Sequence, residues 1–240
     1  MMRSHRIHYF ESEGRDNLPS VIKCVKAYLK TFRLPTGDRV AGCPNKIVCM
    51  TFRGEGPLLA YHELLDDDLT VVAVLFPPTY RVVKDNTVTY SEIPDKIRKF
   101  FDGVGVRIIR SRLPFDEITG AESHNKEMSA LKKTLAVFGG SMPLAIQAVL
   151  QATDSGEVCS GEQVVAITSD TALVVTASTT KDFISPTAGL QVNEIICKPR
   201  RYTIARPILK PALEALPVAE KKLPLTIEGR KFRDLDEPPQ

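Results

Sequence analysis

The feature that most constrains the fold is an alternation of short apolar runs with amphipathic helical segments. The runs at residues 46–52 (KIVCMTF) and 69–76 (LTVVAVLF) are almost continuously apolar, as expected of strands that are covered on both faces of a sheet. Before them, Val21, Val25 and Tyr28 recur at helical spacing along one side of a segment. This alternation predicts an α/β protein whose central sheet is mostly parallel.

Helices are predicted wherever apolar residues recur at helical spacing beside a cap or stop signal. The first helix is expected to be capped by Asp16 or Asn17, with Pro19 in its first turn, where a missing N–H is harmless. The other predicted helices are at residues 57–65, 93–101 (with Ser91 as cap and Gly103 as stop), 126–138 and 143–152.

Strand-like runs in the last third of the chain change the character of the sheet. Only Ser169 and Asp170 separate two such runs, and a connection this short joins antiparallel strands. The sheet is therefore predicted to be mixed.

Residues 79–92 are predicted to be irregular, and residues 110–125 are predicted to form a long polar loop of the kind that often carries function. Besides the two apolar runs above, strands are predicted at residues 7–10, 104–109, 163–168, 171–177 and 190–197.

The chain divides into an α/β domain at residues 1–202 and an extension at residues 203–240. The extension holds six of the seventeen prolines and few apolar residues. It is therefore predicted to pack as a strap or a short helix rather than to form a second core.

Composition and charge exclude several classes of protein. With 32 basic and 29 acidic residues the net charge is +3, and the sequence lacks the concentrated basic face that nucleic-acid binding requires. No apolar stretch approaches the ~20 residues that span a bilayer, and the N-terminal residues lack the apolar core of a signal peptide. The histidines are scattered without metal-ligand spacing, so no metal site is expected.

The cysteines indicate the compartment. There are five of them, an odd number, and they form no C-x-x-C pair. Because Cys24, Cys49 and Cys197 lie inside apolar runs, we predict buried free thiols. A cytoplasmic protein without nucleic-acid or membrane partners is therefore expected.

The strongest candidate site is the turn at residues 51–57, which joins a predicted strand to a predicted helix. In open α/β sheets, ligands bind at the carboxyl ends of the parallel strands, where helix N-termini present free N–H groups. The glycines would let the backbone approach an anion, the threonine would donate a hydrogen bond, and the arginine would pair with a phosphate. A simple strand–helix turn explains the glycines equally well. The candidate binding residues here are Thr51, Arg53, Gly54, Glu55 and Gly56.

A second glycine turn, Gly139-Gly140-Ser141, precedes another predicted helix. Ser141 is expected to cap that helix, and capping explains this serine better than a ligand does. Glu11 and Arg15 follow the first strand at the same predicted edge of the sheet, where they can line a pocket. Solvated loop charges are the alternative for both.

No complete catalytic set can be identified. The chain has no G-x-S-x-G nucleophile turn, and no cysteine lies in a recognisable catalytic setting. The aspartates at residues 66–68 precede a predicted strand, on the wrong side of the sheet for a ligand site, and are interpreted as a solvated loop. The group at residues 124–126 (HNK) is the only cluster with acid–base character. Catalytic residues therefore stay unassigned, and a non-catalytic role is favoured.

Three stretches of the chain, in this order, resemble one known family. The first is Tyr9-Phe10-Glu11 followed by Gly14-Arg15-Asp16-Asn17. The second is IVCMTFRGEGPLLAYHELL leading into LTVVAVLF, and the third comprises AIQAVLQATDSG, EQVVAITSDTALVV and VNEIICKPR. Their order and spacing resemble the pyruvate kinase C-terminal-domain-like family, whose stand-alone members are similar to the regulatory domain of that enzyme without its catalytic barrel. The resemblance covers most of residues 7–200.

This resemblance implies a three-layer α/β/α fold with a mixed five-stranded sheet, and a pocket like the one that holds a sugar bisphosphate in pyruvate kinase. Some stand-alone members look like flavin mononucleotide binders. By position, Thr51 and Gly54 match the phosphate loop, whereas Gly56 stands where that loop usually has a serine or threonine. The glycine-rich segment that closes over the ligand is reduced to Ser169 and Asp170. Pyruvate kinase activity is excluded, because it resides in a barrel of about 250 residues.

Three functions stay open at this point. The leading hypothesis is a non-catalytic binding or regulatory module for a phosphorylated small molecule. The alternative is a flavin mononucleotide-dependent oxidoreductase that uses the same pocket. The third is an assembly protein with a decayed pocket, in which residues from 203 onward form the interface of a homo-oligomer.

Overall fold

A seven-stranded sheet forms the centre of the fold. The computed structural model describes residues 6–32, 42–64, 69–84, 87–115 and 126–200, with 226–227 and 230–231. Its helices are α1 (Leu18–Lys30), α2 (Glu55–Leu64), α3 (Asp95–Val104), α4 (Lys126–Ala136) and α5 (Met142–Asp154). Its strands are β1 (His8–Phe10), β2 (Lys46–Thr51), β3 (Thr70–Leu75), β4 (Arg81–Lys84), β5 (Thr87–Tyr90), β6 (Arg107–Arg110), β7 (Gln163–Ile167), β8 (Ala172–Thr176), β9 (Gln191–Pro199), β10 (Thr226–Ile227) and β11 (Arg230–Lys231).

The sheet is mixed and mostly parallel, as predicted. Its strand order is β1-β9-β8-β7-β2-β3-β6. β8 runs antiparallel to both of its neighbours, and the other four pairings are parallel. All seven strands predicted from the apolar runs join this sheet. The five-stranded sheet implied by the family resemblance is therefore wrong, because the short strands β1 and β6 extend the sheet at its two edges.

Helices cover both faces of the sheet, so the fold has three layers. Along β2 the side chains alternate between the faces, as strand geometry requires. Ile47 and Cys49 pack into a cluster with α1, α2 and α3. Val48 and Met50 pack on the other face with α5, against which α4 contributes partly buried leucines. The apolar runs were continuous because both faces of these strands are buried.

One element was missed. The stretch predicted to be irregular contains an antiparallel hairpin, in which β4 pairs with β5 from Arg81 opposite Tyr90 to Lys84 opposite Thr87. The two strands are only four residues long and form a separate two-stranded sheet. Strands this short produce only a brief alternation, which is hard to distinguish from a loop. The hairpin nevertheless matters, because it reaches the pocket described below.

The boundaries of α3 differ from the predicted ones because of a proline at its start and a glycine at its end. This helix begins after Pro94, which occupies the N-cap position with an extended ψ of 144°. Helical conformation is disfavoured for the residue that precedes a proline, so Ile93 does not belong to the helix. Ser91 is therefore not the cap, and its hydroxyl instead donates to the Phe52 carbonyl at 3.3 Å. The helix ends at Gly105, with a positive φ of 78°, rather than at Gly103.

The predicted cap residues of α1 and α5 occupy N-cap positions, but the predicted capping by their side chains is wrong. Asn17 occupies the N-cap position of α1, but its side chain donates to the carbonyl of Ser12 at 2.8 Å instead of capping the helix. Ser141 occupies the N-cap position of α5, also without a side-chain cap bond. None of the described helices is long and apolar enough to cross a membrane.

Several predicted features lie outside the described residues. These are the aspartates at 66–68, the loop from 116 to 125 with most of the 124–126 cluster, and the extension at 203–240 apart from the β10–β11 pair. The cysteines, in contrast, are all described and all free. Cys49 and Cys197 are buried as predicted, whereas Cys24 is only half-buried.

Candidate functional site

A cavity of about 480 Å³ opens at the sheet edge where the parallel strands end. We call it the edge pocket. Its volume lies within the range of small-molecule sites, and it occupies the place where open α/β sheets bind ligands. It is lined by Arg15, Leu18, Met50, Thr51, Phe52, Arg53, Glu55, Gly56, Phe76, Tyr80, Val82, Thr89, Ser141, Leu144, Thr168 and Ser169.

The structure brings most of the predicted site residues together in this pocket. The turn at residues 51–57 contributes four lining residues from the segment that runs from the end of β2 into α2, namely Thr51, Arg53, Glu55 and Gly56. Of the other predicted site residues, only Arg15 and Ser141 line the pocket. The remaining predicted residues, Glu11, Gly54, Gly139 and Gly140, are described but do not line the pocket.

The turn between β2 and α2 is shaped by Gly54. This glycine has a φ of +95°, and a Cβ atom there would lie 3.2 Å from Cγ2 of Ile97 on α3. Its amide donates to the Thr51 hydroxyl oxygen at 2.9 Å, and its carbonyl accepts from Leu58 at 3.1 Å to begin α2. Gly54 is therefore required by backbone conformation and packing. It shapes the site without facing the cavity.

Arg53 is the cation of the edge pocket that lacks a partner. The residue is 9% exposed and lines the cavity. Its backbone N–H donates to Glu55 Oε2 at 3.2 Å, but its guanidinium has no hydrogen-bond or ion-pair partner in the described part of the chain. Its guanidinium nitrogens are not among the fully buried polar atoms that lack a partner, so the charged group is accessible from the cavity. An anionic ligand in the cavity would supply the missing partner.

Arg15, in contrast, is already paired. Its Nη2 donates to Glu55 Oε1 at 3.0 Å. The Arg15 side chain is 53% exposed and the Glu55 side chain is 9% exposed. The Glu55 carboxylate thus bridges the Arg15 guanidinium and the Arg53 amide, directly in front of the first turn of α2. In this turn a helix leaves amides without intrahelical acceptors.

An internal carboxylate also occupies the start of α5. Asp170 is 3% exposed and accepts the backbone N–H groups of Ser141 and Gly14, each at 3.1 Å. The Thr171 hydroxyl donates to the same side chain at 2.9 Å. The amide at the N-terminus of α5 is therefore satisfied by the protein itself. Of the second predicted turn, only Ser141 lines the cavity, and its side chain makes no cap bond to α5.

Aromatic side chains form the opposite wall of the edge pocket. Phe76 and Tyr80 stack with ring centroids 4.6 Å apart and an interplanar angle of 24°. Phe52 meets the Phe76 ring edge-on at 6.0 Å. Val82 and Thr89, from the β4–β5 hairpin, continue this wall. The sequence interpretation missed it, although Tyr80 and the Thr-Val-Thr-Tyr alternation of β5 were available as signals.

Charged, hydroxyl and aromatic groups meet in the lining of the edge pocket. Its lining combines arginines, hydroxyl groups and aromatic rings, and Glu55 is the only carboxylate among the lining residues. None of the described residues forms a cluster that could hold a metal ion. The arrangement can hold an anionic group beside Arg53 and an apolar group against Phe76 and Tyr80.

A perturbed thiol lies away from the pocket. Cys197 hydrogen-bonds to Cys24, and this bond lowers the pKa of Cys24 to about 7, although burial acts in the opposite direction. The same interaction and burial raise the pKa of Cys197 far above its ordinary value. Burial alone raises the pKa of Cys49. None of the three lines the edge pocket.

Neither a scan against protein-family models nor a search of curated proteins found a match to this chain.

Proposed function

We propose that this protein is a non-catalytic binding or regulatory module for a phosphorylated small molecule, which binds in the edge pocket. The observation that carries the proposal is Arg53, a residue of the cavity lining whose guanidinium has no protein partner in the described residues. The resemblance to stand-alone relatives of the pyruvate kinase regulatory domain supports the same conclusion. On this proposal the protein has no pyruvate kinase activity.

The phosphate would bind beside the Arg53 guanidinium, at the carboxyl end of β2. A guanidinium matches two phosphate oxygens at once through charge-assisted hydrogen bonds. The Thr51 oxygen accepts the Gly54 N–H at 2.9 Å, which leaves its hydroxyl hydrogen to donate to the ligand. The remainder of the ligand would lie toward the aromatic wall.

A melting-temperature screen tests the proposal. Glucose 6-phosphate, adenosine 5′-monophosphate and flavin mononucleotide are each compared with the same compound lacking its phosphate. We expect at least one phosphorylated member to stabilise the protein and its dephosphorylated partner to have little effect. If no phosphorylated compound shifts the melting temperature, the proposal is wrong.

The variant Arg53→Gln locates the site. Removing a charge-assisted hydrogen bond costs about 1.5–3 kcal/mol, so we expect affinity for the stabilising compound to fall by about 10–100-fold. Arg107→Gln is the matched control. The Arg107 side chain is 68% exposed and lies at the start of β6, at the end of the strands opposite to the pocket. Equal effects of the two substitutions would contradict a site at Arg53.

The flavin-dependent oxidoreductase is a second candidate, favoured by the stacked rings of Phe76 and Tyr80. A flavin ring placed against them would gain stacking energy. A purified protein that shows a flavin absorbance spectrum would support this candidate. Tyr80→Ala should then weaken flavin mononucleotide binding by up to about tenfold and leave inorganic phosphate binding unchanged. A colourless protein that does not bind added flavin mononucleotide would rule it out.

A further inference from the structure

We propose that the edge pocket selects ligands with one phosphoryl group over ligands with two. This inference rests on the proposed function and specifies its ligand class. Two internal carboxylates, Glu55 and Asp170, already occupy positions that a second phosphoryl group would need. The pocket has one place for an anion, beside Arg53.

The first occupied position is the N-terminus of α5. A helix start that faces a pocket is a ready anion site, because its amides lack intrahelical acceptors. Here Asp170 accepts the Ser141 amide at 3.1 Å, and its second oxygen accepts Gly14 at the same distance. The carboxylate is buried and makes a third bond, to the Thr171 hydroxyl. A ligand anion at this helix would have to displace a side chain held by three hydrogen bonds.

The second occupied position lies between Arg15 and the turn after β2. Glu55 accepts Arg15 through Oε1 at 3.0 Å and the Arg53 amide through Oε2 at 3.2 Å. Arg15 is therefore neutralised by the protein, and it is the other arginine that lines the cavity. A second phosphoryl group near Arg15 would meet the Glu55 carboxylate at close range, and like charges at close range repel strongly.

The charge balance of the lining leads to the same preference. Two arginines contribute two positive charges and Glu55 contributes one negative charge, so the lining carries a net +1. With Glu55 paired to Arg15, that charge resides on Arg53. One phosphoryl group can pair with the Arg53 charge. A second phosphoryl group would find no unpaired cation among the lining residues.

Isothermal titration with matched ligands tests this inference on the full chain. The probes are glucose 6-phosphate against glucose 1,6-bisphosphate, and adenosine 5′-monophosphate against adenosine 3′,5′-bisphosphate. For whichever pair binds, we expect the monophosphate to bind at least about tenfold more tightly. Equal or tighter binding of the bisphosphate overturns the inference but leaves the proposed function intact. Binding of neither member of either pair contradicts the inference, and it overturns the proposed function as well if the melting-temperature screen also shows no shift.

Glu55→Gln then tests the cause. The amide keeps the size of the side chain and removes its charge, so we expect bisphosphate affinity to rise about tenfold or more relative to monophosphate affinity. Glu63→Gln is the matched control on the same helix, where Glu63 pairs with Lys26 at 3.1 Å and does not line the pocket. An unchanged ratio of affinities in Glu55→Gln contradicts the role given to this carboxylate. The wild-type comparison stands by itself if the variant does not fold.

Discussion

The buried carboxylate of Asp170 accepts the backbone N–H of Ser141 at 3.1 Å, and this bond joins the β7–β8 turn to the start of α5. The same carboxylate accepts the Gly14 N–H at 3.1 Å, in the segment that follows β1. One side chain therefore holds three segments of the chain together beside the edge pocket. Neither of the two connected segments is near the β7–β8 turn in sequence, so the contact is a product of the tertiary fold.

We expect Asp170→Ala to lower the free energy of unfolding by about 3 kcal/mol. The substitution leaves the Gly14 N–H without its acceptor and the Ser141 N–H with only the Thr171 hydroxyl oxygen, at 3.1 Å, and hydrogen bonds to a charged group are worth about 1.5–3 kcal/mol each, without full additivity. Urea denaturation followed by circular dichroism measures the change. Asp102→Ala, at an exposed position of α3, is the control and should stay within about 0.5 kcal/mol of the parent. Equal stabilities for the two variants would contradict the role of Asp170.

Gly140 and Gly105 form a matched pair for testing close packing. Both have positive φ, +59° and +78°, so alanine is strained at either position. A Cβ atom at Gly140 would lie 2.5 Å from the Thr171 hydroxyl and 2.6 Å from Cδ of Pro199, whereas at Gly105 it would meet nothing within 4 Å. We expect Gly105→Ala to cost about 1 kcal/mol and Gly140→Ala at least about 2 kcal/mol more. Thermal unfolding of both variants provides the comparison, and similar losses would show that the predicted clash is relieved.

Tyr28 links α1 to β9 through a hydrogen bond between its hydroxyl and Glu194 Oε1, at 2.8 Å. The tyrosine is buried, and Phe at this position keeps the ring but removes the donor. We expect Tyr28→Phe to lower the free energy of unfolding by about 1 kcal/mol. Tyr90→Phe, at an exposed position of β5, is the control and should have no measurable effect. A stability for Tyr28→Phe equal to that of the control would mean that this bond contributes nothing net.

Cys24 should react with alkylating agents at a lower pH than an ordinary thiol does. Its pKa is lowered to about 7 by the hydrogen bond from Cys197, and the thiolate is the reactive form. We expect the rate of iodoacetamide labelling at Cys24, followed by mass spectrometry, to rise with pH through a midpoint near 7 and then level off. Below that midpoint the thiol is protonated and labelling is slow.

The substitution Cys197→Ala separates this explanation from simple exposure. Without the hydrogen bond the midpoint for Cys24 should move upward, toward the ordinary thiol value of about 8.5. The exposed Cys159 in the same protein serves as the internal reference, and its profile should not change. A midpoint for Cys24 that is unaffected by Cys197→Ala would contradict the assigned cause.

Much of the fold was predictable because it depends on local periodicity. The continuous apolar runs of β2 and β3 are needed wherever a strand is covered on both faces, so they can be recognised without knowing what covers them. The two-residue connection at Ser169 and Asp170 permits only an antiparallel pairing, which the β7–β8 register confirms. The β4–β5 hairpin was missed because its strands are short and pair only with each other.

The site was predictable in its residues but not in their relationships. Thr51, Arg53 and Glu55 were identified from a strand–helix turn, a local motif that any open α/β sheet places at the edge where ligands bind. The sequence does not show that Glu55 pairs with Arg15, or that Arg53 has no partner in the described residues. Arg15 lies 40 residues before Glu55 and 38 before Arg53 in the chain, and only the fold brings these side chains to the same end of the sheet. The homo-oligomer and the cytoplasmic location stay predictions.

The amino-acid sequence by itself determined the α/β class, the seven strands of the main sheet and the position of the turn after β2, because each follows from apolar spacing and backbone preference along a few neighbouring residues. The tertiary structure alone decided which charges are neutralised. Asp170 reaches the start of α5 and Glu55 reaches Arg15 only after the sheet has assembled. An unpaired cation in a cavity lining is free to bind an anion, which is why Arg53, rather than the glycine pattern, became the basis of the proposed function.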